Sequence, residues 1–136
     1  ISAKFIPLIS KRFKRCLEKC IPAVGAATAA LAKRTGASSI IALTYSGYSS
    51  EILSACRPAA QIIAATPSHE TARRLRLYWG VTPLVCQRDV DMNVAVDDAF
   101  NAALDAGLVQ FNELVVVCAS RENIRSAADT IWVHNA

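Results

Sequence analysis

Short apolar runs alternate with amphipathic stretches along this chain. The apolar runs have the length of β-strands and predict strands at 39–44, 60–65, 81–86, 113–119 and 129–134. Apolar residues three and four positions apart predict helices at 9–33, as one segment or as two broken at Pro22, and at 49–56, 68–79 and 93–106. Strands separated by helices predict an α/β fold, in which right-handed crossovers build a largely parallel sheet with helices on both faces.

Two of the predicted strands indicate their place in the sheet. The run from Glu113 to Ala119 is apolar at nearly every position, as expected for a strand covered on both faces. Pro83 lies inside the strand at 81–86, and because proline donates no backbone hydrogen bond, it predicts an edge strand.

The turn between the first strand and the following helix is the best candidate for a binding site. It reads Thr44-Tyr45-Ser46-Gly47-Tyr48-Ser49. A helix N-terminus leaves backbone N–H groups unpaired and carries about half a positive charge, so it binds phosphate oxygens without a lysine. Gly47 permits a tight turn, and the hydroxyls of Thr44, Ser46 and Ser49 can donate to phosphate. The same residue types also serve merely to cap a helix, and the local sequence leaves both interpretations open.

The composition predicts one compact domain. At 136 residues the chain can bury a single core, and its 53% hydrophobic content and mean hydropathy of +0.29 exclude a disordered chain. The longest nearly apolar stretch, 21–32, is too short to cross a bilayer, and the sequence contains no signal-peptide pattern. We therefore expect a single domain at 1–136 with a cytoplasmic location and no membrane partner.

Positive charge is concentrated at the start of the chain. Residues 1–34 contain eight Lys or Arg and one acid, and the remainder contains seven Lys or Arg and ten acids, which gives the net charge of +4. The basic run 11–15 overlaps an amphipathic helical pattern, whose apolar positions are Ile9, Phe13, Cys16, Leu17 and Cys20. Because no aromatic stacking pattern accompanies the charge, we interpret it as the solvated side of a helix and expect no nucleic-acid partner.

The five cysteines and two histidines form no metal-binding pattern. Cys16 and Cys20 are four positions apart on a predicted helix, Cys56, Cys86 and Cys118 stand singly, and no CxxC occurs. We expect reduced, buried thiols and no metal site. An odd cysteine count without a secretion signal agrees with a reducing cytosol.

Other chemistry-bearing residues have structural explanations. A core-facing side of a helix is predicted for Ala72, Leu75, Tyr78 and Trp79, with Arg73, Arg74 and Arg76 solvated or at a subunit contact. A solvated helix face is predicted for Asp97, Asp98 and Asp105, opposite Val96, Phe100 and Ala103. Since neither histidine lies in a motif, the chain presents no catalytic constellation.

Several segments, in order and at family-like spacing, resemble the C-terminal domain of pyruvate kinase. They are the turn at 44–49, S-A-C-R-P at 54–58, Q-I-I-A-A-T at 61–66, T-A-R-R-L-R-L-Y-W-G-V-T-P-L at 71–84 and D-V-D-M at 89–92. The resemblance covers roughly 24–119. It implies a three-layer α/β/α sandwich with a mixed five-stranded sheet, in the order 3-2-1-4-5 with strand 5 antiparallel. The helix after the turn would then begin at the switch point between strands 1 and 4, where open α/β sheets bind ligands.

The resemblance also implies a function. Pyruvate kinase converts phosphoenolpyruvate and ADP to pyruvate and ATP in glycolysis, with magnesium, potassium and a catalytic lysine held in a β/α barrel. Such a barrel takes about 250 residues and does not fit into this chain. The implied role is a regulatory and oligomerisation domain that is not catalytic alone and binds no cofactor. Its implied partners are a phosphorylated small-molecule effector, the parent enzyme's catalytic barrel and further copies of itself.

The chain departs from the family's effector-binding pattern. Effector turns often read T-K-S-G-R-S, with cations where this chain has Tyr45 and Tyr48. Asn93 stands where members activated by fructose-1,6-bisphosphate have an arginine. We therefore expect a single phosphate at the turn and poor binding of that bisphosphate.

The family's final glycine-rich loop is also replaced. In its place, Ser120, Arg121 and Arg125 form a candidate second effector loop without the glycines that permit close approach. Two other functions fit the same sequence: a free-standing module for phosphorylated small molecules, and a purely structural oligomerisation domain.

Overall fold

A computed structural model of the chain describes residues 22–86, 91–120, 128 and 130–135. Its helices are α1 (22–35), α2 (Tyr48–Ala55), α3 (His69–Leu75) and α4 (Met92–Asp105). Its strands are β1 (Ser39–Leu43), β2 (Gln61–Thr66), β3 (Val81–Val85), β4 (Leu114–Ala119) and β5 (Thr130–Asn135). All five strands, and the helices α2 and α4, lie within one residue of their predicted bounds.

The five strands form one sheet in the order β3-β2-β1-β4-β5. Neighbouring strands are parallel except for β4 and β5, which are antiparallel. At the centre of the sheet, Ile40 of β1 pairs with Ile62 of β2 and with Val116 of β4. The predicted α/β fold with strand order 3-2-1-4-5 is thereby confirmed.

The burial of each strand follows its place in the sheet. β1, at the centre, is buried at all five positions, and β4 beside it is buried at five of its six. β3 is only partly buried and lies at one edge. Pro83 of β3 pairs with Ala64 of β2 and has no strand on its other side, so the edge position predicted from this proline is confirmed.

Successive residues of β1 point to opposite faces of the sheet and pack against different helices. Ile41 belongs to a buried cluster with Phe100 of α4. Ile40 belongs to a second cluster with Ala32 of α1 and Leu53 of α2. Because side chains alternate along a strand, one apolar strand fills the core on both faces, and helices cover each of them.

Helix α3 is shorter than the sequence predicts. It ends at Leu75, and turns carry the chain from there to β3. Ala72 and Leu75 are buried as expected, but the core positions predicted for Tyr78 and Trp79 are wrong, because these residues are 36% and 49% exposed. The apolar helical spacing continues past the point where the backbone turns, at Gly80 with a φ of +70°, to enter the sheet.

The solvated and buried sides of α3 and α4 otherwise agree with the prediction. The arginines of the α3 region, Arg73, Arg74 and Arg76, are exposed. On α4 the outward acids are Asp97 and Asp105, which are exposed, and Asp98, which is partly exposed. The opposite side of α4 is buried, with Val96, Phe100 and Ala103 among the core residues.

The described cysteines differ in their exposure. Cys118 is buried as predicted, whereas Cys56 is exposed, so the expectation of a buried thiol is wrong there. Cys56 is the C-cap residue of α2, and it lies at the surface where that helix ends. Burial, followed by the negative charge of Asp98, raises the pKa of the partly buried Cys86 thiol to about 11.

No helix in the part of the chain that the structure describes is long and apolar enough to cross a membrane. The same residues contain no group of three His, Cys, Asp or Glu side chains that could hold a metal ion. The predicted helical residues 9–21, with Cys16 and Cys20, lie outside the described residues.

Candidate functional site

The turn from Thr44 to Gly47 lies at the carboxyl edge of the sheet, directly after β1 and before α2. The chain leaves β1 through α2, which packs on one face, and reaches β4 through α4 on the other face. β1 and β4 are neighbours, and the helices connected to them lie on opposite faces of the sheet. The crevice at such a switch point is where open α/β sheets bind ligands. Ser120, which directly follows β4, is buried at this edge.

The side chain of Thr44 stabilises the turn through a hydrogen bond within it. Its side-chain oxygen accepts a buried hydrogen bond of 2.8 Å from the backbone N–H of Gly47. Gly47 is the N-cap of α2 and has a φ of +88°, a conformation that favours glycine. The Gly47 carbonyl accepts the first helical hydrogen bond, from the N–H of Glu51 at 3.0 Å. Since the Thr44 oxygen is used as an acceptor, its hydroxyl hydrogen is left to donate.

Two side chains of helix α3 form hydrogen bonds with backbone carbonyls of the turn. The hydroxyl of Thr71 donates to the carbonyl oxygen of Tyr45 at 2.9 Å, and the guanidinium of Arg74 donates to the carbonyl oxygen of Ser46. A Cβ atom on Gly47 would lie 3.0 Å from Nη2 of Arg74. Glycine is therefore favoured at this position by its backbone conformation, and a Cβ atom would also require side chains of α3 to move by a few tenths of an ångström.

The first turn of α2 presents polar groups that the described residues leave unpaired. The backbone N–H groups of Ser49 and Ser50 have no acceptor among the described residues, and that of Tyr48 has only the hydroxyl of Ser46 at 3.4 Å. The hydroxyl oxygen of Ser50 is buried and has no hydrogen-bond partner there either. Buried polar groups without partners are uncommon in folded proteins, so this helix start has capacity for a ligand.

The sequence predicts the residues of the turn itself, but it does not predict the residues of α3 that contact the turn. The side chain of Tyr45 packs against the core cluster on the α4 face, whereas Tyr48 is 46% exposed. Ser50 is not among the residues that the sequence predicts for the site, and its place in the first turn of the helix is the only local signal for it. Thr71 and Arg74 gave no local signal, because only the fold brings α3 to the turn.

Two opposite charges lie beside the turn. Nη2 of Arg74 is 3.8 Å from Oε1 of Glu51, which is in the first turn of α2. The Glu51 carboxylate also accepts a hydrogen bond from Tyr78, which raises the pKa of the Tyr78 phenol above its ordinary value of 10.0. The Arg74 and Glu51 side chains are 52% and 28% exposed, so solvent screens the pair and a ligand can reach both.

The residues that would complete a larger effector site are described only in part. Arg121 and Arg125 of the candidate second loop lie outside the described residues. Asn93 is exposed in the first turn of α4, and its backbone N–H donates to the Asp91 side chain at 2.9 Å. This helix start already carries a carboxylate, which disfavours the binding of an anion there.

A cleft of about 570 Å³ lies at the opposite edge of the sheet, between the end of α1 and the connection from α2 to β2. Lys33 and Arg57 line it, and the Arg57 guanidinium lies over the ring of Trp79 at 4.7 Å. Its other walls are mainly alanine side chains, which offer few groups to orient a ligand. The turn at the carboxyl edge therefore remains the better candidate site.

Comparisons with known proteins agree with this fold. A family profile described as "Pyruvate kinase, alpha/beta domain" matches residues 22–134. Pyruvate kinases of Staphylococcus aureus strains USA300 and bovine RF122 / ET3-1 are each 33% identical to this chain over 112 residues, which is 82% of the chain and 19% of either relative. The chain thus spans about a fifth of the length of these relatives. The extent of the profile match and the level of identity show that the chain belongs to the pyruvate kinase family, as its α/β domain.

Proposed function

We propose that the chain is the regulatory and oligomerisation domain of a pyruvate kinase and that its turn at 44–49 binds the phosphate group of an effector. The main support for this proposal is that the N–H groups of Ser49 and Ser50, at the start of α2, have no acceptor among the described residues. These groups follow a glycine turn at the switch point of the sheet, a location where α/β folds bind phosphates.

The chemistry of binding follows from the geometry of the turn. Phosphate oxygens accept hydrogen bonds from the N–H groups of Ser49 and Ser50, and the hydroxyls of Ser46 and Ser49 add donors. The dipole of α2 favours a negative charge at its start by about 0.3–1 kcal/mol. Because Thr71 and Arg74 already fix the backbone of the turn, little conformational entropy is lost on binding.

We expect the site to hold one phosphate with modest affinity and to bind fructose-1,6-bisphosphate poorly. A bisphosphate needs a second cationic pocket, and Asn93 lacks the charge and the bidentate geometry of an arginine. Losing one charge-assisted contact weakens binding by about 1.5–3 kcal/mol, or roughly tenfold to a hundredfold.

Calorimetric titration of the full chain with inorganic phosphate and with fructose-1,6-bisphosphate tests this function. We expect weak, saturable binding of phosphate and poor binding, or none, of the bisphosphate. Micromolar binding of the bisphosphate would contradict the selectivity. Failure of phosphate to bind at all would contradict the site itself.

The chain is expected to have no pyruvate kinase activity by itself. It spans about a fifth of the length of its relatives, and a catalytic barrel of about 250 residues does not fit into 136 residues. In the parent enzyme that barrel would be its partner, and it would hold the magnesium and potassium ions. Turnover of phosphoenolpyruvate and ADP by the pure chain would refute this division of roles.

Self-association is the second part of the proposed role. β5 is an edge strand, and its Val133 is 40% exposed. Unpaired strand edges tend to pair with another copy of the same chain, and isologous dimers are the commonest oligomers. We expect dimers or larger species in sedimentation velocity at high protein concentration, whereas a strictly monomeric chain would count against this role.

The contacts within the turn also support an alternative, purely structural function. Thr44, Thr71 and Arg74 already bind groups of the turn, as they would in an oligomerisation domain that binds no ligand. Phosphate titration separates this alternative from a binding function. A free-standing phosphate-binding module is the remaining alternative, and the coding sequence around the chain decides between it and a regulatory domain.

A further inference from the structure

Among the residues that the structure describes, the guanidinium of Arg74 reaches the turn from α3, although the turn's own six residues include no lysine or arginine. Arg74 donates from Nη2 to the carbonyl oxygen of Ser46. The same nitrogen would lie 3.0 Å from a Cβ atom on Gly47, so the positive charge is beside the N-cap of α2. Since arginine has five N–H donors, the contact with Ser46 leaves others for a further acceptor.

Glu51 is the acidic neighbour of this guanidinium. Its Oε1 lies 3.8 Å from Nη2, which is close enough for attraction but too long for a good hydrogen bond. Glu51 is also in the first turn of α2, where its negative charge repels an incoming anion. A phosphate group carries more charge and more acceptor oxygens than a carboxylate, so it is the stronger partner for Arg74.

We propose that Arg74 supplies the positive charge that the turn lacks, and that Glu51 competes with a bound phosphate for it. This inference rests on the proposed phosphate site at 44–49. The ligand class is inorganic phosphate or the phosphate group of a small monoester. Arg74 is then a residue that determines affinity for phosphate, because it adds a charge-assisted contact to the N–H groups and dipole of α2.

A structural role for Arg74 would differ from this one in measurable ways. If Arg74 only held the carbonyl of Ser46, its charge would not matter to the ligand. Thr71 offers the matched control, because its hydroxyl holds the neighbouring carbonyl of Tyr45 at 2.9 Å without a charge. Competition with Glu51 and the response to salt therefore distinguish the two roles.

The test compares the affinity for phosphate of the full chain with that of its variants. Binding is monitored by NMR through the backbone N–H signals of Ser49 and Ser50. With inorganic phosphate as the probe, we expect Arg74→Gln to weaken binding about three- to tenfold and Arg74→Lys to weaken it less. Glu51→Gln should tighten binding about two- to threefold. That gain should shrink when Arg74→Gln is also present, because the two residues act on the same contact.

Salt dependence separates charge from position. Raising the ionic strength should weaken phosphate binding less in Arg74→Gln than in the wild type, whereas Thr71→Val should keep the wild-type salt dependence. Urea denaturation of each variant checks that it folds. If Arg74→Gln does not fold, Arg74→Lys and Glu51→Gln carry the test.

The outcomes distinguish this inference from the function on which it rests. Equal affinity and equal salt dependence in wild type and Arg74→Gln would overturn the role of Arg74 and leave the site intact. Weaker binding in Glu51→Gln would overturn the competition. A wild-type chain that binds no phosphate would overturn the site and the inference together.

Discussion

Two glycines with positive φ, Gly47 and Gly107, shape the backbone in similar ways but in very different surroundings. Gly107 follows α4, where the next N–H, that of Leu108, donates to the carbonyl of Ala103 at 3.0 Å, as in a Schellman motif. A Cβ atom on Gly107 would meet no atom within 4 Å. Gly47 is buried at the start of α2, and a Cβ atom there would lie 3.0 Å from Cδ2 of Leu75.

The difference separates two uses of glycine. At the end of α4 the chain needs only a conformation that other residues adopt at a cost. At the start of α2 it needs that conformation and also space for α3. The candidate binding turn is therefore held by tertiary contacts, whereas the end of α4 is held by its own backbone hydrogen bonds.

The largest expected effect comes from a matched pair of alanine substitutions at the two glycines. Gly47→Ala should lower the free energy of unfolding by about 2–4 kcal/mol, because the new Cβ atom both strains φ and crowds α3. Gly107→Ala should lower it by about 1–2 kcal/mol, since only φ is strained. Urea denaturation of both variants measures the difference, and equal losses would show that α3 makes room for the Cβ atom without a cost in stability.

A smaller effect is expected from Thr44, which supports the crowded turn from within. Thr44→Val keeps the shape of the side chain but leaves the buried N–H of Gly47 unpaired, so it should lower the free energy of unfolding by about 1–3 kcal/mol. Thr44→Ser keeps the acceptor and is the control. Thermal denaturation compares the two, and a valine variant as stable as the serine variant would contradict the role of this hydrogen bond.

Much of the fold is predictable from sequence because the signals are local. Apolar runs locate β1 and β4 within one residue of their bounds, and Pro83 indicates the edge of the sheet. The core positions predicted for Tyr78 and Trp79 are wrong because α3 ends where the chain must turn into β3, which pairs with β2, and helical spacing does not reveal that point.

The candidate site divides in the same way. Its turn is predictable because the strand, the glycine and the helix follow each other along the chain. Its supports are not, because the contacts from Thr71 and Arg74 to the carbonyls of Tyr45 and Ser46 join segments that only the folded sheet brings together. No pattern in a single sequence indicates the crowding at Gly47.

The smallest expected effect is a pH dependence that arises from the charges beside the turn. The hydrogen bond to Glu51 raises the pKa of Tyr78 above 10.0, so the contact stabilises the fold below that pH, and this contribution is lost as the pH rises through the raised pKa. Glu51→Gln should shift ionisation of Tyr78 to lower pH. Ultraviolet titration of wild type and Glu51→Gln, with Tyr78→Phe to assign the signal, measures this shift, and identical curves would contradict the contact.

An NMR titration of the full chain with inorganic phosphate tests whether the turn at 44–49 binds phosphate through the start of α2. We predict saturable shifts of the backbone N–H signals from Gly47 to Ser50, because these groups surround the helix start. The signals of Gly107 and Leu108, at the uncrowded turn, should not change. Small shifts spread evenly over the chain, or saturable shifts that leave the 47–50 signals in place, would contradict phosphate binding at the turn.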